Sequence, residues 1–314
     1  MSGEHAADGV STAEREATMT AEMAESMERP EPVMREDTLG IGSMAQHFVS
    51  WGQRTTPERA ILLVHGLTAS SREFIDLGPA LAARGWYVVA PDLRGRGKSA
   101  KPAHGYSISI HANDILALCD HFDLSRVRVV GHSLGAVIGA YLAALYPERV
   151  AKLVMIDFGG VVPDDTQQAI AASVNRLGTI YPSLDAYLDQ MRQLPMFQWN
   201  ALWEQYFRYD AEVHPDGTAS SRVPRKAIQE EMAALDALRI EHLPPLIRQP
   251  TLLLRATVGL LGADKGFLLT REEAEHLRAD MPDCHLIEIP DTNHYTIIES
   301  PVMRDAVAEF ATAE

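Results

Sequence analysis

The 314-residue chain predicts an α/β fold, a mainly parallel sheet covered by helices on both sides. Three observations predict it. Short apolar runs alternate with segments of helical spacing. The run Ala60-Ile61-Leu62-Leu63-Val64 is apolar without interruption, as a strand buried on both faces must be. Gly131-His132-Ser133-Leu134-Gly135 marks a tight turn between one such run and a helix, with a glycine on each flank where a Cβ would collide.

The elements follow in order. His47–Trp51 reads as a strand, then residues 60–64. A helix near 74–84 stops at Gly85, and Trp86–Ala90 is the next strand. Residues 108–121 are helical, Val127–Val130 a strand, 134–146 a helix and Leu153–Ile156 a strand. After a long interval come the strands Thr251–Leu254 and His285–Ile289, with helices near 271–279 and 301–312. The interval, residues 160–247, lacks strong strand runs and is rich in aromatics and arginine. An insertion of this size between two sheet strands is expected over the C-terminal edge of the sheet, where open α/β folds bind ligands. We therefore expect a core of residues 41–159 and 248–314 and a helical lid of residues 160–247.

The first 40 residues read as an acidic extension. Residues 1–37 hold ten Asp or Glu against three Arg. Ser11 and Glu14 have capping-box spacing, and Met19, Met23 and Met27 fall four apart on one helical face. The segment is expected to be a disordered tail, the alternative being an arm that packs on the body or on a second subunit of a homodimer.

Composition removes other classes. Hydrophobic residues make up 46% and charged residues 23%, as in globular proteins. No run of about 18 apolar residues occurs, so no membrane span is expected. The net charge of −15 argues against nucleic acid or anionic lipid as partner. An acidic start without an apolar segment predicts no secretory leader, and two cysteines, Cys119 and Cys284, fit a reducing cytoplasm. No His, Cys, Asp or Glu cluster has zinc spacing, and the loop Pro91–Ser99 lacks P-loop spacing, so neither metal nor cofactor is expected.

The chemistry concentrates on strand ends. Ser133 stands on the turn into a helix, its hydroxyl aimed at the crevice. A serine hydroxyl needs a base at neutral pH. Among 12 histidines, His294 follows the last strand, in a loop able to reach Ser133. The base needs a carboxylate to fix its tautomer. Asp157 ends the strand 153–156 beside the nucleophile strand, and Asp264 lies nine residues past Arg255. Gly66 lets the chain turn so that the Leu67 amide, with that of Leu134, can face a developing oxyanion.

Together His65-Gly66, the loop 91–99, Gly131–Gly135 and Asn293-His294 resemble the α/β-hydrolase superfamily over about residues 42–314. The resemblance implies a mostly parallel eight-stranded sheet with the lid inserted after the sixth strand. It implies Ser133 as nucleophile, His294 as base and the amides of Leu67 and Leu134 as oxyanion donors, with no cofactor. Relatives usually carry the acid soon after the strand matching 251–255; a minority carry it one strand earlier, where Asp157 stands. Asp157 is therefore the expected acid and Asp264 the alternative. As a whole the chain also resembles the bacterial amidohydrolases of vitamin B6 degradation, which implies a small acidic amide as substrate. A mono- or dicarboxylate calls for guanidinium clamps, and the lid supplies Arg176, Arg192 and Arg208, with Trp199, Tyr209 and Tyr295 as further pocket residues. Carboxylesterase or carbon–carbon bond hydrolase chemistry with the same machinery is the alternative, and a non-catalytic ligand receptor the alternative of another class.

Overall fold

Eight strands line up in the order β1-β2-β4-β3-β5-β6-β9-β10. They are β1 (Arg35–Ile41), β2 (Met44–Trp51), β3 (Ala60–Val64), β4 (Tyr87–Pro91), β5 (Val127–His132), β6 (Val150–Ile156), β9 (Thr251–Ala256) and β10 (Cys284–Ile289). β2 runs antiparallel to both β1 and β4, and every other pairing is parallel. The computed structural model describes residues 32–42, 44–158, 166, 170–171 and 174–314. The Ser11–Glu14 spacing, the methionine face and the first part of the expected lid lie outside the described residues.

The central strands are mostly apolar, β3 entirely so, because helices cover both faces. On one face Leu62, Val64, Val129, Leu153 and Leu253 pack under α2 (Ile108–His121), α3 (Leu134–Leu145) and α7 (Arg271–Asp280). On the other, Ile61, Leu63, Val130, Val154 and Leu254 pack under α1 (Leu77–Ala83) and α8 (Pro301–Thr312). Start signals agree with the helix boundaries. Thr270 and Glu273 form a capping box before α7, and Ser300 caps α8 ahead of Pro301.

The chain leaves the sheet after β6, the sixth strand, and returns at β9. Its described part holds α4 (Leu184–Arg192), α5 (Ala201–Asp210), the hairpin β7 (Ala211–Val213) and β8 (Ala219–Ser221), and α6 (Arg225–Ala237). The hairpin is too short and polar to register as a strand pattern.

One boundary needs correction. Residues 33–314 form a single unit, and β1 begins at Arg35, inside the segment assigned to the extension. β1 is an edge strand with five of its seven residues exposed, so it carries no apolar run. Its place is set by main-chain pairing with β2 from Arg35↔Ser50 to Ile41↔Met44.

Leu63 is wholly buried in the middle of the sheet. Leu63→Ala should lower unfolding free energy by about 2–5 kcal/mol, read as a fall in urea midpoint with little change in slope.

Candidate active site

β5 passes into α3 through Ser133, whose backbone is at φ 55°, ψ −119°. This left-handed conformation is costly for a residue with a Cβ. The neighbours leave no alternative path. A Cβ on Gly131 would fall 2.1 Å from the Gly135 carbonyl oxygen, and one on Gly135 would fall 1.9 Å from that of Val64 on β3. Glycine at both positions lets α3 pack directly on the sheet, and Ser133 N–H donates to Ile156 at 3.0 Å. The hydroxyl is thereby lifted out of the turn.

The carboxylate arrives from the adjacent strand. Asp157 follows β6 at φ 50° and its N–H donates to Leu254 at 2.8 Å. Its Oδ1 accepts the Ala256 N–H at 2.8 Å, and its Oδ2 lies 2.9 Å from His294 Nδ1. Asp264 is exposed in the loop after β9, so Asp157 is the carboxylate that meets the imidazole. His294 comes from the loop after β10. Asp291 at φ 57° turns that chain, and Val258 N–H bonds Thr292 at 2.8 Å. Asn293 Oδ1 then accepts the N–H groups of Tyr295 and Thr296. His294 Nε2 ends 3.1 Å from Ser133 Oγ. Because its Nδ1–H faces an acceptor-only carboxylate, the Nε2 lone pair is left for the hydroxyl proton. Burial lowers the His294 pKa, and the Asp157 hydrogen bond offsets this only in part.

Leu67 and Leu134 line the cavity into which Ser133 opens. The Leu134 N–H lies in the first turn of α3 and has no acceptor within the helix. The Leu67 peptide is held from behind, because Arg96 Nε donates to its carbonyl at 2.9 Å. Arg96 also pairs with Glu231 of α6, and both side chains are completely buried. His65 stands aside, donating Nδ1–H to the Gly66 carbonyl at 2.8 Å and accepting the Leu93 N–H at 3.0 Å. His132 bonds Glu73 at 2.8 Å and the His294 carbonyl at 3.0 Å, away from the serine hydroxyl.

The cavity measures about 840 Å³. Val137, Phe158, Trp203, Leu238, Leu268 and Ile298 are among its apolar walls. Tyr295 lines it as expected. The other expected pocket residues do not. Arg176 pairs with Asp210 at 3.0 Å, Arg192 with Asp189 and Glu204, and Arg208 with Glu204 at 2.6 Å. Trp199 Nε1 donates to Glu204 at 3.0 Å and Tyr209 OH to Asp92 at 2.5 Å. The expected clamps fail because the insertion and the loop after β4 supply their own carboxylates, which neutralise these donors where they stand. Among the described lining residues the one Lys or Arg is Arg239, and Glu241 is 2.5 Å away. Glu73 and Glu231 gave no signal in sequence, being single charged residues outside any pattern, while Arg96 lies in the loop 91–99, which the sequence marked without assigning that side chain a part. Among the described residues no group of three or more His, Cys, Asp or Glu is arranged to hold a metal ion.

Comparison with known proteins agrees with this architecture. A family model described as the alpha/beta hydrolase fold matches residues 59–301. An uncharacterized protein of Mycobacterium tuberculosis is 40% identical over 105 residues, 33% of this chain and only 30% of its own length. The 3-hydroxybutyrate-oligomer hydrolase of Cupriavidus necator is 29% identical over 87% of this chain and 94% of its own. The 2-(acetamidomethylene)succinate hydrolase of Mesorhizobium japonicum is 28% identical over 81% and 88%. A crystal structure of E-2-(acetamidomethylene)succinate hydrolase superposes with a TM-score of 0.78 at 23% identity, covering 90% of this chain and all of that one.

A methyl group at residue 135 has nowhere to go. Gly135→Ala should destabilise the protein by about 3 kcal/mol, seen as a lowered urea midpoint.

Proposed function

The chain belongs to the α/β-hydrolase fold family, and on that premise we propose that it is a cofactor-independent serine hydrolase using Ser133, His294 and Asp157. The observation that carries this is the unbroken relay from Ser133 Oγ to His294 Nε2 at 3.1 Å and from His294 Nδ1 to Asp157 Oδ2 at 2.9 Å. In the forward step Ser133 attacks a carbonyl carbon while His294 Nε2 takes the hydroxyl proton. Negative charge then forms on the carbonyl oxygen, where the N–H groups of Leu67 and Leu134 receive it. Asp157 stabilises the transient imidazolium. His294 returns the proton to the leaving group, then activates a water that releases the acyl product.

The substrate we infer is an ester with an extended, largely apolar acyl or leaving group. The cavity lies at the upper end of the range usual for small-molecule sites, about 300–1,000 Å³, and its walls are mostly aliphatic and aromatic. A second reading is cleavage of the amide in a small acid such as 2-(acetamidomethylene)succinate, a step of vitamin B6 breakdown. Similarity to the Mesorhizobium japonicum hydrolase favours it, and Arg239 is the one guanidinium among the described lining residues, although Glu241 already pairs with it. Against it stands the pairing of Arg176, Arg192 and Arg208 outside the cavity.

Hydrolysis of p-nitrophenyl esters tests the relay. Ser133→Ala and Asp157→Asn should each lower kcat by about 10⁴-fold, and Asp264→Asn should leave it unchanged. The base works only when unprotonated. A His294 pKa below 6.5 therefore puts the acid limb of kcat/KM below pH 6.5. A substrate series tests the pocket. Medium-chain esters should exceed 2-(acetamidomethylene)succinate in kcat/KM by at least about 10-fold, and the reverse order would favour the second reading.

A further inference from the structure

Next to the relay lies a second buried pair for which the hydrolytic cycle has no task. Glu73 sits on the single turn Ser71–Phe74, and His132 precedes the nucleophile. His132 Nδ1 is 2.8 Å from Glu73 Oε1, and His132 Nε2 is 3.0 Å from the His294 carbonyl oxygen. The second carboxylate oxygen of Glu73 accepts the Gly66 N–H at 3.0 Å. One carboxylate thus touches the loop that carries Leu67 and, through one imidazole, the loop that carries His294. The crossing is tight. A Cβ on Gly66 would meet Ser133 Cβ at 3.3 Å, His132 Nδ1 at 3.6 Å and Glu73 Oε1 at 3.8 Å.

The acceptors around His132 fix a proton count. A carbonyl oxygen only accepts, so Nε2 carries a hydrogen. The contact between Nδ1 and Oε1 then needs one further proton, held by either atom. Burial opposes charge on both groups, but the partner together with Gly66 N–H and His65 on one side, and with Asp157 and the His294 carbonyl on the other, outweighs it, so the His132 pKa is raised and that of Glu73 lowered. The proton therefore resides on the imidazole, and the pair is an imidazolium with a carboxylate.

We propose that Glu73 and His132 are positioning residues, which by sharing this proton hold the Leu67 loop and the His294 loop in one register around Ser133. The proposal rests on the serine-hydrolase reading above. The other titratable groups facing the pair are His65, Asp157, His294 and Tyr206. His65 is neutral, its pKa lowered by burial, and Tyr206 is kept a phenol by burial. With the His132 charge removed, Asp157 and Glu73 remain to favour a protonated His294, so its pKa rises.

The test uses p-nitrophenyl ester turnover across pH. His132→Gln keeps an amide donor for the His294 carbonyl but has no charge. Glu73→Ala removes the acceptor of the Gly66 N–H and the partner of His132 Nδ1 together, whereas Glu73→Gln would keep both contacts, its oxygen on Gly66 N–H and its NH₂ donating to a neutral His132. His132→Gln and Glu73→Ala should each lose up to roughly 100-fold in kcat with KM nearly unchanged, as misplacement of catalytic groups does. The double variant should lose no more than the worse single one, because the pair acts as a unit. In His132→Gln the acid limb should move up by about half a pH unit or more. A kcat within about twofold of the parent and an unmoved limb would overturn the proposal. Nitrogen-15 NMR of the parent's histidines decides the matter even if the variants do not fold. His132 should carry hydrogen on both ring nitrogens at about pH 7.5, and a bare nitrogen there would sink the idea. Ester turnover that survives Ser133→Ala would instead overturn the hydrolase reading and leave the NMR result standing.

Discussion

The arrangement depends on one strained peptide. Ser133 is held at φ 55° between a strand and a helix whose backbones come together at Gly131 and Gly135. A conformation of this kind costs on the order of 1–3 kcal/mol and persists only where the surroundings determine it. The surroundings here are the β3–β5–β6 register, which pairs Val64 with Gly131 and His132 with Ile156, and α3 pressed against β3. With Ser133 so placed, the groups that gather around it are a matter of which strand ends lie near. Asp157 is one strand away. His294 comes from the far edge, three strands over, and its loop is fastened back by Asp157, Asn293 and His132.

Legibility in the sequence follows burial. The core strands show because both faces are covered, and Ala60–Val64 matches β3 residue for residue. β1 does not show, since an edge strand with polar side chains is defined by its neighbour's main chain. Ser133, His294 and Asp157 were legible as strand-end residues in a parallel sheet. The lid arginines were misread because residue type announces charge without naming the counter-charge. Glu204, distant in sequence from Arg192, meets it in space. Glu73 is the extreme case, an isolated glutamate whose two partners, Gly66 and His132, stand at the ends of two different strands.

The insertion is tied to the body at several points. Arg96 and Glu231 pair with no exposure to solvent. Tyr209 reaches Asp92, Trp203 Nε1 reaches Glu299 at 2.7 Å, and Asn293 donates to Met196 at 2.7 Å. Stranding one member of a buried ion pair costs about 3–5 kcal/mol, so α6 is anchored where Glu231 meets Arg96. The same guanidinium holds the Leu67 carbonyl, so the anchor of the insertion and the position of the Leu67 peptide at the cavity share one side chain.

The position of Asp157 at the end of β6 has a further consequence. The chain between β9 and α7 carries none of the three relay residues, yet Leu268 within it forms part of the cavity wall. Val258 N–H still braces the His294 loop from the start of that stretch, but side-chain changes around Leu268 reshape the pocket without touching Asp157. The shape of the cavity can therefore drift there while Ser133, His294 and Asp157 keep their places.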